Sequence, residues 1–224
     1  MKYQNIIPAN FISRPNRFIA IVKIDGSEVT VHVKNTGRCR ELLFPGSRVY
    51  LEKAVNPERK TPYDLVAVEH EGRIINIDSQ APNRVVKEWL LSLEYFDLVK
   101  PEQKYGASRI DFYMEKGCDK FLIEVKGCTL FRDGVGYFPD APTERGTRHL
   151  EELTEAIGKG YKAYIAFVIQ GEGIDEVRPN ADTDPEFTRA YKKALETGVK
   201  VLFLKCRVGE DSLSIEDSAG TDLF

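Results

Sequence analysis

The 224-residue sequence has little of what membrane-spanning, disulfide-stabilised or histidine-rich metal proteins require. No window approaches the roughly 18 consecutive apolar residues that a membrane helix needs. Residues 1–5 lack the apolar region of a signal peptide, so we predict a cytoplasmic protein without membrane contact. The four cysteines are too scattered for a disulfide framework or a zinc knuckle, and we expect reduced thiols. The three histidines show no short metal-binding spacing.

The chain also lacks a dominant charge. It carries 32 Lys+Arg against 35 Asp+Glu, a formal net charge of −3, and 42% of its residues are hydrophobic. This composition is ordinary for a globular protein and argues against disordered, collagen-like and coiled-coil chains. A local basic groove can occur on a near-neutral protein, so composition neither requires nor excludes a nucleic-acid partner.

Short apolar runs separated by turn residues occupy positions 17–78 and predict antiparallel strands. Asp25-Gly26 favours a two-residue hairpin turn between two of them. The predicted strands are 18–22, 29–33, 48–55, 65–68 and 74–77. Five strands in so short a segment indicate a small OB-like β-barrel, a surface often used to bind single-stranded nucleic acid or sugars. An all-β module that only packs against its neighbour fits the same pattern.

After Pro82 the pattern changes to alternating helices and strands. The predicted helices run from Asn83, as a cap, to about Tyr95, over about 147–159, and from Asp184-Pro185 to Gly198. The predicted strands are 109–113, 120–125, 163–169 and 199–204. The fold class is therefore α/β (α+β), with an OB-like barrel at 1–82 and a mixed sheet flanked by helices at 83–208. An acidic tail at 209–224 looks dispensable.

The strongest chemical signal lies on two neighbouring predicted strands. Asp111 lies on the first, and Glu124 and Lys126 share one face of the second because strand side chains alternate. Two carboxylates and an ammonium at a strand end are costly to bury unless they bind something. We predict that Asp111 and Glu124 ligate Mg²⁺ (or Mn²⁺) and that Lys126 orients or deprotonates an attacking water. A salt-bridged sheet end is the alternative.

This arrangement resembles the PD-(D/E)XK nuclease superfamily, whose core has an acidic residue at a strand start, Glu-x-Lys on the next strand and flanking helices. Over almost its whole length, the chain further resembles the sugar fermentation stimulation protein A family. The segments that carry this resemblance are RPNRF at 14–18, NTGR at 35–38, SRIDF at 108–112, EVK at 124–126, FPDAPTERG at 138–146 with HL at 149–150, and RPN at 178–180 before DP at 184–185.

The family resemblance implies an OB-like domain joined to a PD-(D/E)XK nuclease-like domain. It also implies a prokaryotic protein that binds DNA without sequence preference, with a link to the regulation of sugar metabolism. A nuclease reaction is not part of what the family name implies.

Several further residues have two interpretations each. Glu88 on the first helix either completes the metal site or faces solvent. Arg145 and His149 are four residues apart and either hold the scissile phosphate or cap a surface. Asp140 either begins a helix or adds a ligand. The residues predicted to contact the DNA backbone are Arg17, Arg38, Arg40 and Arg109. For the three on the barrel, a dispersed solvated face is the alternative.

These features predict a sequence-nonspecific DNA-binding protein with a Mg²⁺-dependent phosphodiesterase site. One alternative is a non-catalytic DNA-binding regulator on the same fold. Another, resting on barrel analogy alone, is a sugar-binding module. The sequence has no helix-turn-helix or zinc-finger pattern that would enter a major groove, so no sequence preference is expected. The sequence leaves the oligomeric state open.

Overall fold

The computed structural model describes residues 1–35, 37–106, 108–220 and 224, so Thr36 of the NTGR segment lies outside the described residues. The strands are β1 (Ile6–Asn16), β2 (Ile19–Ile24), β3 (Ser27–Val33), β4 (Arg48–Lys53), β5 (Tyr63–His70), β6 (Arg73–Asn76), β7 (Leu98–Tyr105), β8 (Ser108–Lys116), β9 (Asp119–Cys128), β10 (Leu130–Arg132), β11 (Val135–Phe138), β12 (Lys162–Ile169), β13 (Val177–Pro179), β14 (Lys200–Val208) and β15 (Leu213–Gly220). The helices are α1 (Ala81–Ser92), α2 (Glu144–Gly158) and α3 (Pro185–Thr197). Within the described part of the chain, no helix has the length and apolar character to cross a membrane.

The N-terminal strands form a closed barrel. Its order is β3-β2-β1-β4-β5, and β5 returns to pair with β3 in parallel, while β6 extends the sheet beyond β5. The predicted five-stranded OB-like barrel is confirmed. The five predicted strands correspond to β2–β6, however, so the prediction missed β1 and counted β6 as the fifth strand. β1 contains Pro8 and Pro15, and register shifts interrupt its alternation, so it lacks the usual strand pattern.

Two hairpin turns set the register of the barrel strands. Asp25 and Gly26 join β2 to β3 with positive φ angles of 46° and 86°, and Glu71 and Gly72 join β5 to β6 with φ angles of 50° and 74°. Turns of this kind match the twist of paired strands. They direct alternate apolar side chains of these strands, including Val22, into the barrel core.

The second half contains the predicted mixed sheet, in the order β15-β14-β12-β9-β8-β7. β9, β12 and β14 are parallel, and the outer strands pair antiparallel. α1 packs on one face and α2 with α3 on the other. α1 begins at Ala81 with Gln80 as its N-cap, so Asn83 is not the cap. The boundary predicted after Pro82 lies in the first turn of this helix.

Within the acidic segment 209–224, Leu213–Gly220 form β15 of this sheet, which corrects the prediction of a dispensable tail for these residues. β15 pairs along β14 from Leu202↔Gly220 to Val208↔Leu213, and Leu213 is fully buried. Glu216 faces outward and pairs with Arg207. Glu216 therefore lies on the solvent side of an edge strand.

A buried polar network, here called the interdomain seam, joins the barrel to the sheet. It consists of Tyr3, Asn76, Asp78 and Gln170, each at most 3% exposed. The Asn76 backbone N–H donates to the Gln170 carbonyl at 2.9 Å, and Gln170 Nε2 donates to Asn76 Oδ1 at 2.9 Å. Asn76 Nδ2 donates to the Tyr3 hydroxyl, which donates to Asp78 Oδ2. Because unpaired buried polar groups are costly, the seam fixes the placement of the two domains.

Candidate metal centre and nucleic-acid surface

A cleft of about 570 Å³, here called the acidic cleft, lies between the start of α1 and strands β8 and β9. Its lining residues are Ser79, Gln80, Asn83, Glu102, Asp111, Glu124, Val125, Lys126 and Arg145. Asp111, Glu124 and Lys126 therefore share one cleft, as do two residues that the sequence pattern did not single out for the site, Asn83 and Glu102.

Asp111 is held by two neutral donors. Asn83 Nδ2 donates to Oδ1 and the Val125 backbone N–H donates to Oδ2, each at 2.8 Å. Burial, reinforced by repulsion from Glu124, raises the pKa of Asp111 to about 6. The two carboxylates are thus close enough to repel each other, and a cation bound between them would relieve that repulsion.

Glu124 is 2% exposed, and one of its carboxylate oxygens has no partner in the described part of the chain. Its Oε1 accepts from Lys126 Nζ at 2.7 Å and contacts His149 Nδ1. Its Oε2 is buried and has no hydrogen-bond partner among the described residues. Burial acts to raise the pKa of Glu124, but Lys126 and His149 outweigh it and hold the pKa below its ordinary value. Glu124 is therefore ionised, with a free oxygen.

His149 supports Glu124 from α2. The residue is 2% exposed, its Nδ1 lies 3.4 Å from Lys126 Nζ, and its Nε2 accepts from Arg145 Nε at 3.4 Å. The surface-capping interpretation is therefore wrong for His149, because the residue is buried against the sheet. The exposed side chain of Arg145 lines the cleft, where its guanidinium can meet a phosphate.

Glu88 and Asp140 lie outside the acidic cleft. The Glu88 side chain is 57% exposed and pairs with the Met1 amino group at 2.6 Å, so the metal-ligand interpretation is wrong and the solvent interpretation is correct. Thr143 caps α2 by accepting from the Gly146 N–H, so Asp140 does not begin the helix. Asp140 lines a separate pocket of about 150 Å³ between the barrel and the sheet.

Asn83 and Glu102 lie at the cleft because of how their helix and strand pack, and no local sequence pattern predicts this. Asn83 lies on α1, whose start packs beside β9. Glu102 lies between Pro101 and Gln103, which pair with β8, and this places it beside Asp111. No local pattern marks either residue as part of the site.

Three of the predicted DNA-contacting arginines lie together on the barrel. The surface here called the arginine groove has a volume of about 270 Å³ and is lined by Arg14, Pro15, Asn16, Arg17, Arg38 and Arg40. Arg17, Arg38 and Arg40 are exposed, and among the described residues none of their guanidinium groups has an ion-pair or hydrogen-bond partner. Arg109 is exposed on β8 opposite Lys104 and lines neither this groove nor the acidic cleft.

Arg14 organises the arginine groove. Its guanidinium donates to the backbone carbonyls of Arg17, Asn35 and Arg38, at 2.7, 2.6 and 2.6 Å. These bonds tie the turn after β1 to the loop after β3, so the two segments present their arginines together.

The donor set of the acidic cleft suits a hard, partly hydrated cation. Across the described ranges, no three or more His, Cys, Asp or Glu side chains gather into a metal-binding group. The cleft offers two neighbouring carboxylates, Asp111 and Glu124, with room for water and substrate oxygens. Mg²⁺ commonly keeps several waters and takes one or two carboxylates, whereas structural zinc sites need four protein ligands.

Residues 12–77 match the family described as the SfsA N-terminal OB domain, and residues 80–212 match the sugar fermentation stimulation protein RE domain. The chain is 51% identical over 220 residues to a sugar fermentation stimulation protein homolog of Clostridium beijerinckii, covering 97% of each chain. It is 52% identical over 219 residues to the homolog of Desulfitobacterium hafniense strain DCB-2, covering 97% of this chain and 96% of the relative.

Among solved structures, the chain is similar to Pyrococcus furiosus SfsA, whose structure is described as a complex with Ca²⁺. The TM-score is 0.84 and the sequence identity 29%, and the match covers 100% of this chain and 98% of that one.

Proposed function

Because this chain belongs to the sugar fermentation stimulation protein family, we propose that it binds DNA without sequence preference and hydrolyses phosphodiester bonds in the acidic cleft with Mg²⁺ or Mn²⁺. The observation that carries this proposal is the buried Glu124 Oε2, which has no partner among the described residues and belongs to a residue that lines the same cleft as Asp111. A buried ionised oxygen is costly unless something binds it. The Ca²⁺ complex of the Pyrococcus furiosus relative supports a cation as that ligand.

Each residue of the cleft has a role in this proposal. Asp111 and Glu124 hold the cation, which when bound stabilises charge on a phosphate and lowers the pKa of water. Lys126 lies 2.7 Å from Glu124 Oε1, where its ammonium can orient the attacking water and offset phosphate charge. Arg145 contacts a phosphate oxygen. His149 holds Glu124 in place and does not touch the substrate.

The arginine groove binds DNA through its phosphates, whatever the base sequence. Contacts to phosphates position a nucleic acid but carry no base information. Affinity therefore falls steeply as salt concentration rises, because each neutralised phosphate releases counterions. A titration showing strong preference for one duplex sequence, unchanged between low and high salt, would contradict this part of the proposal.

Cleavage assays on single-stranded, duplex and branched DNA test the catalytic part. We expect Lys126→Ala to abolish metal-dependent cleavage but to keep most DNA affinity, since one lysine contributes about one phosphate contact. Asp111→Asn removes cleavage by weakening the cation site, and it strengthens metal-free DNA binding because a negative charge is lost. Lys120→Ala, on the exposed start of β9, is the matched control and keeps full activity. Wild-type protein that cleaves none of these substrates with Mg²⁺ or Mn²⁺ would contradict the nuclease proposal.

A non-catalytic DNA-binding regulator, connected with sugar metabolism as the family name suggests, is the second candidate. The observation that favours it is the pairing of Glu124 Oε1 with both Lys126 and His149, because such an ion-pair network can compensate a buried charge without metal. In that case neither the wild type nor any variant cleaves DNA. Lys126→Ala then only weakens DNA binding, because a positive charge is lost, and Asp111→Asn only strengthens it, because a negative charge is lost.

A further inference from the structure

The β1–β2 hairpin carries a two-residue tip, Arg17 and Phe18, at the edge of the arginine groove. Asn16 pairs with Ile19 across the hairpin, and Asn16 Oδ1 accepts from the backbone N–H groups of Phe18 at 2.9 Å and Ile19 at 3.1 Å. Arg14 binds the Arg17 carbonyl at 2.7 Å. The tip is thus held in one conformation by side chains of its own strand.

The Phe18 ring is presented to solvent without an aromatic neighbour. Its residue is 54% exposed, and the described residues include no ring or cation–π partner for it. Phe44 is also well exposed, at 49%, but its ring stacks on His70 with centroids 5.9 Å apart. Among the described residues the Phe18 ring has no aromatic partner, and Phe18 follows the exposed Arg17 of the groove in the chain, whereas the Phe44 ring is stacked on His70.

An aromatic face next to unpaired arginines matches the chemistry of an unpaired nucleic-acid strand. Arg17, Arg38 and Arg40 can neutralise successive phosphates, and Phe18 can stack on a base, which every base permits. A duplex presents the same phosphates, but its base faces are covered by neighbouring base pairs. The ring at the tip therefore favours a single strand over a duplex.

The arginine groove and the acidic cleft are each linked to the pocket between barrel and sheet. Asn35, whose carbonyl is bound by Arg14, lines the 150 Å³ pocket between barrel and sheet. Ser79 lines both this pocket and the acidic cleft, and its hydroxyl donates to the Lys34 carbonyl at 2.6 Å. The 150 Å³ pocket therefore adjoins the acidic cleft at Ser79, and the hydrogen bond from Arg14 to Asn35 links it to the arginine groove.

We propose that single-stranded DNA occupies this surface. A base stacks on Phe18, phosphates pair with Arg17, Arg38 and Arg40, and the strand continues past Ser79 into the acidic cleft. The phosphate contacts rest on the proposed DNA binding, to which the Phe18 contact adds a preference for a single strand, and the delivery of the strand to the cleft rests on the proposed nuclease site.

Fluorescence anisotropy with the full chain in EDTA tests this inference without cleavage. The probes are a labelled single-stranded DNA of about 20 nucleotides, longer than the roughly 4–16 nucleotides of one barrel site, its duplex, and an RNA of the same sequence. We expect Phe18→Ala to weaken single-strand binding by about 5- to 100-fold and to leave duplex binding unchanged. Phe44→Ala is the matched control and has no effect on either.

The arginine contribution is measured from the salt dependence of the same binding. The double variant Arg38→Ala/Arg40→Ala should reduce the slope of log affinity against log salt concentration by about 1.4, since each phosphate contact on a single strand contributes about 0.7. Lys192→Ala, an exposed position on α3, is the charge control and leaves the slope unchanged.

Duplex bound as tightly as the single strand, tighter binding of the RNA, or Phe18→Ala without effect would each overturn the inference, whether or not the protein cleaves DNA. Phe18-dependent binding of single-stranded DNA supports it even if no cleavage is found, and that result would contradict the nuclease proposal alone.

Discussion

Two aspartates show how neighbouring donors set the charge state of a carboxylate in this protein. Burial acts to raise the pKa of Asp64, but three nitrogen-bearing partners outweigh it and lower the pKa to about 2. Those partners, at 2.8–3.1 Å, are Arg59, His32 and Lys34. Among the described residues Asp111 accepts hydrogen bonds only from neutral donors, so burial, together with repulsion from Glu124, raises its pKa to about 6. The barrel thus compensates its buried aspartate internally, whereas the cleft does not.

This difference predicts that the metal-free protein loses stability as pH rises from about 4 to above 6. Below pH 4 Asp111 is protonated in both the folded and the unfolded state, and above pH 6 its deprotonation in the folded state is opposed by burial. The loss attributable to Asp111 is about 3 kcal/mol, from about two pKa units of difference. Urea unfolding in EDTA, followed by fluorescence of the single tryptophan, Trp89, measures it.

The Asp111→Asn variant should not show this loss of stability as pH rises. The Asp182→Asn variant, which removes an exposed carboxylate, should show the same loss as the wild type. Parallel stability profiles for wild type and Asp111→Asn between pH 4 and 7 would contradict the prediction.

At the cleft, sequence could identify the residues whose relation is local. The spacing of Glu124 and Lys126 fixes a common strand face, and Asp111 lies on the strand paired with theirs. The burial of His149 depends on how α2 packs against the sheet, and the position of Asn83 depends on the start of α1. Neither contact follows from a residue spacing, so the burial of His149 and the place of Asn83 in the cleft could not be predicted from the sequence.

At the scale of elements, the segments with strong local signals were predictable. The hairpin at Asp25-Gly26 and the helix opening at Asp184-Pro185 each carry a turn or capping signal, and both have the expected geometry. Strands β1 and β7 lack such signals because they contain prolines and, in β7, mostly exposed residues. Their pairing is decided by the neighbouring strands, which a single-segment pattern does not show.

The end of β9 packs tightly against the start of α1, and Gly127 allows this approach. A Cβ at this position would lie 2.3 Å from Gln170 Oε1 and 2.9 Å from Pro82 Cγ. We therefore expect Gly127→Ala to lower the free energy of unfolding by about 1–3 kcal/mol, as overpacking usually does. Urea denaturation in EDTA measures the change.

Gly158→Ala is the matched control for this substitution. Gly158 ends α2, and a Cβ there would meet no atom within 4 Å. The alanine should therefore be neutral or stabilise the protein by up to about 1 kcal/mol. Equal stability changes for the two variants would show that the junction of β9 and α1 is not tightly packed.

At the scale of the whole molecule, the interdomain seam predicts that barrel and sheet unfold together. Gln170 bonds Asn76 through both its backbone carbonyl and its side-chain amide, so opening either domain breaks buried polar pairs of the other. Calorimetry should show one transition with equal calorimetric and van't Hoff enthalpies. Gln170→Ala should destabilise the protein by about 1–3 kcal/mol, because it leaves Asn76 Oδ1 with one donor fewer.

Gln103→Ala on β7 is the control for this variant, since among the described residues the Gln103 side chain bonds only to the adjacent Lys104 carbonyl. Two separate calorimetric transitions in the wild-type protein would contradict the coupling of the domains.

The same seam limits how the gene of such a protein can be rearranged. A recombination point at 77–80, where the chain passes from the last barrel-side strand to α1, would separate Tyr3 and Asn76 from Gln170. A barrel taken from an unrelated protein would bring no complement to the Gln170 amide and would leave it buried and unpaired. The two domains can therefore be exchanged between genomes as a pair, and a barrel acquired alone would first have to evolve new partners for Gln170.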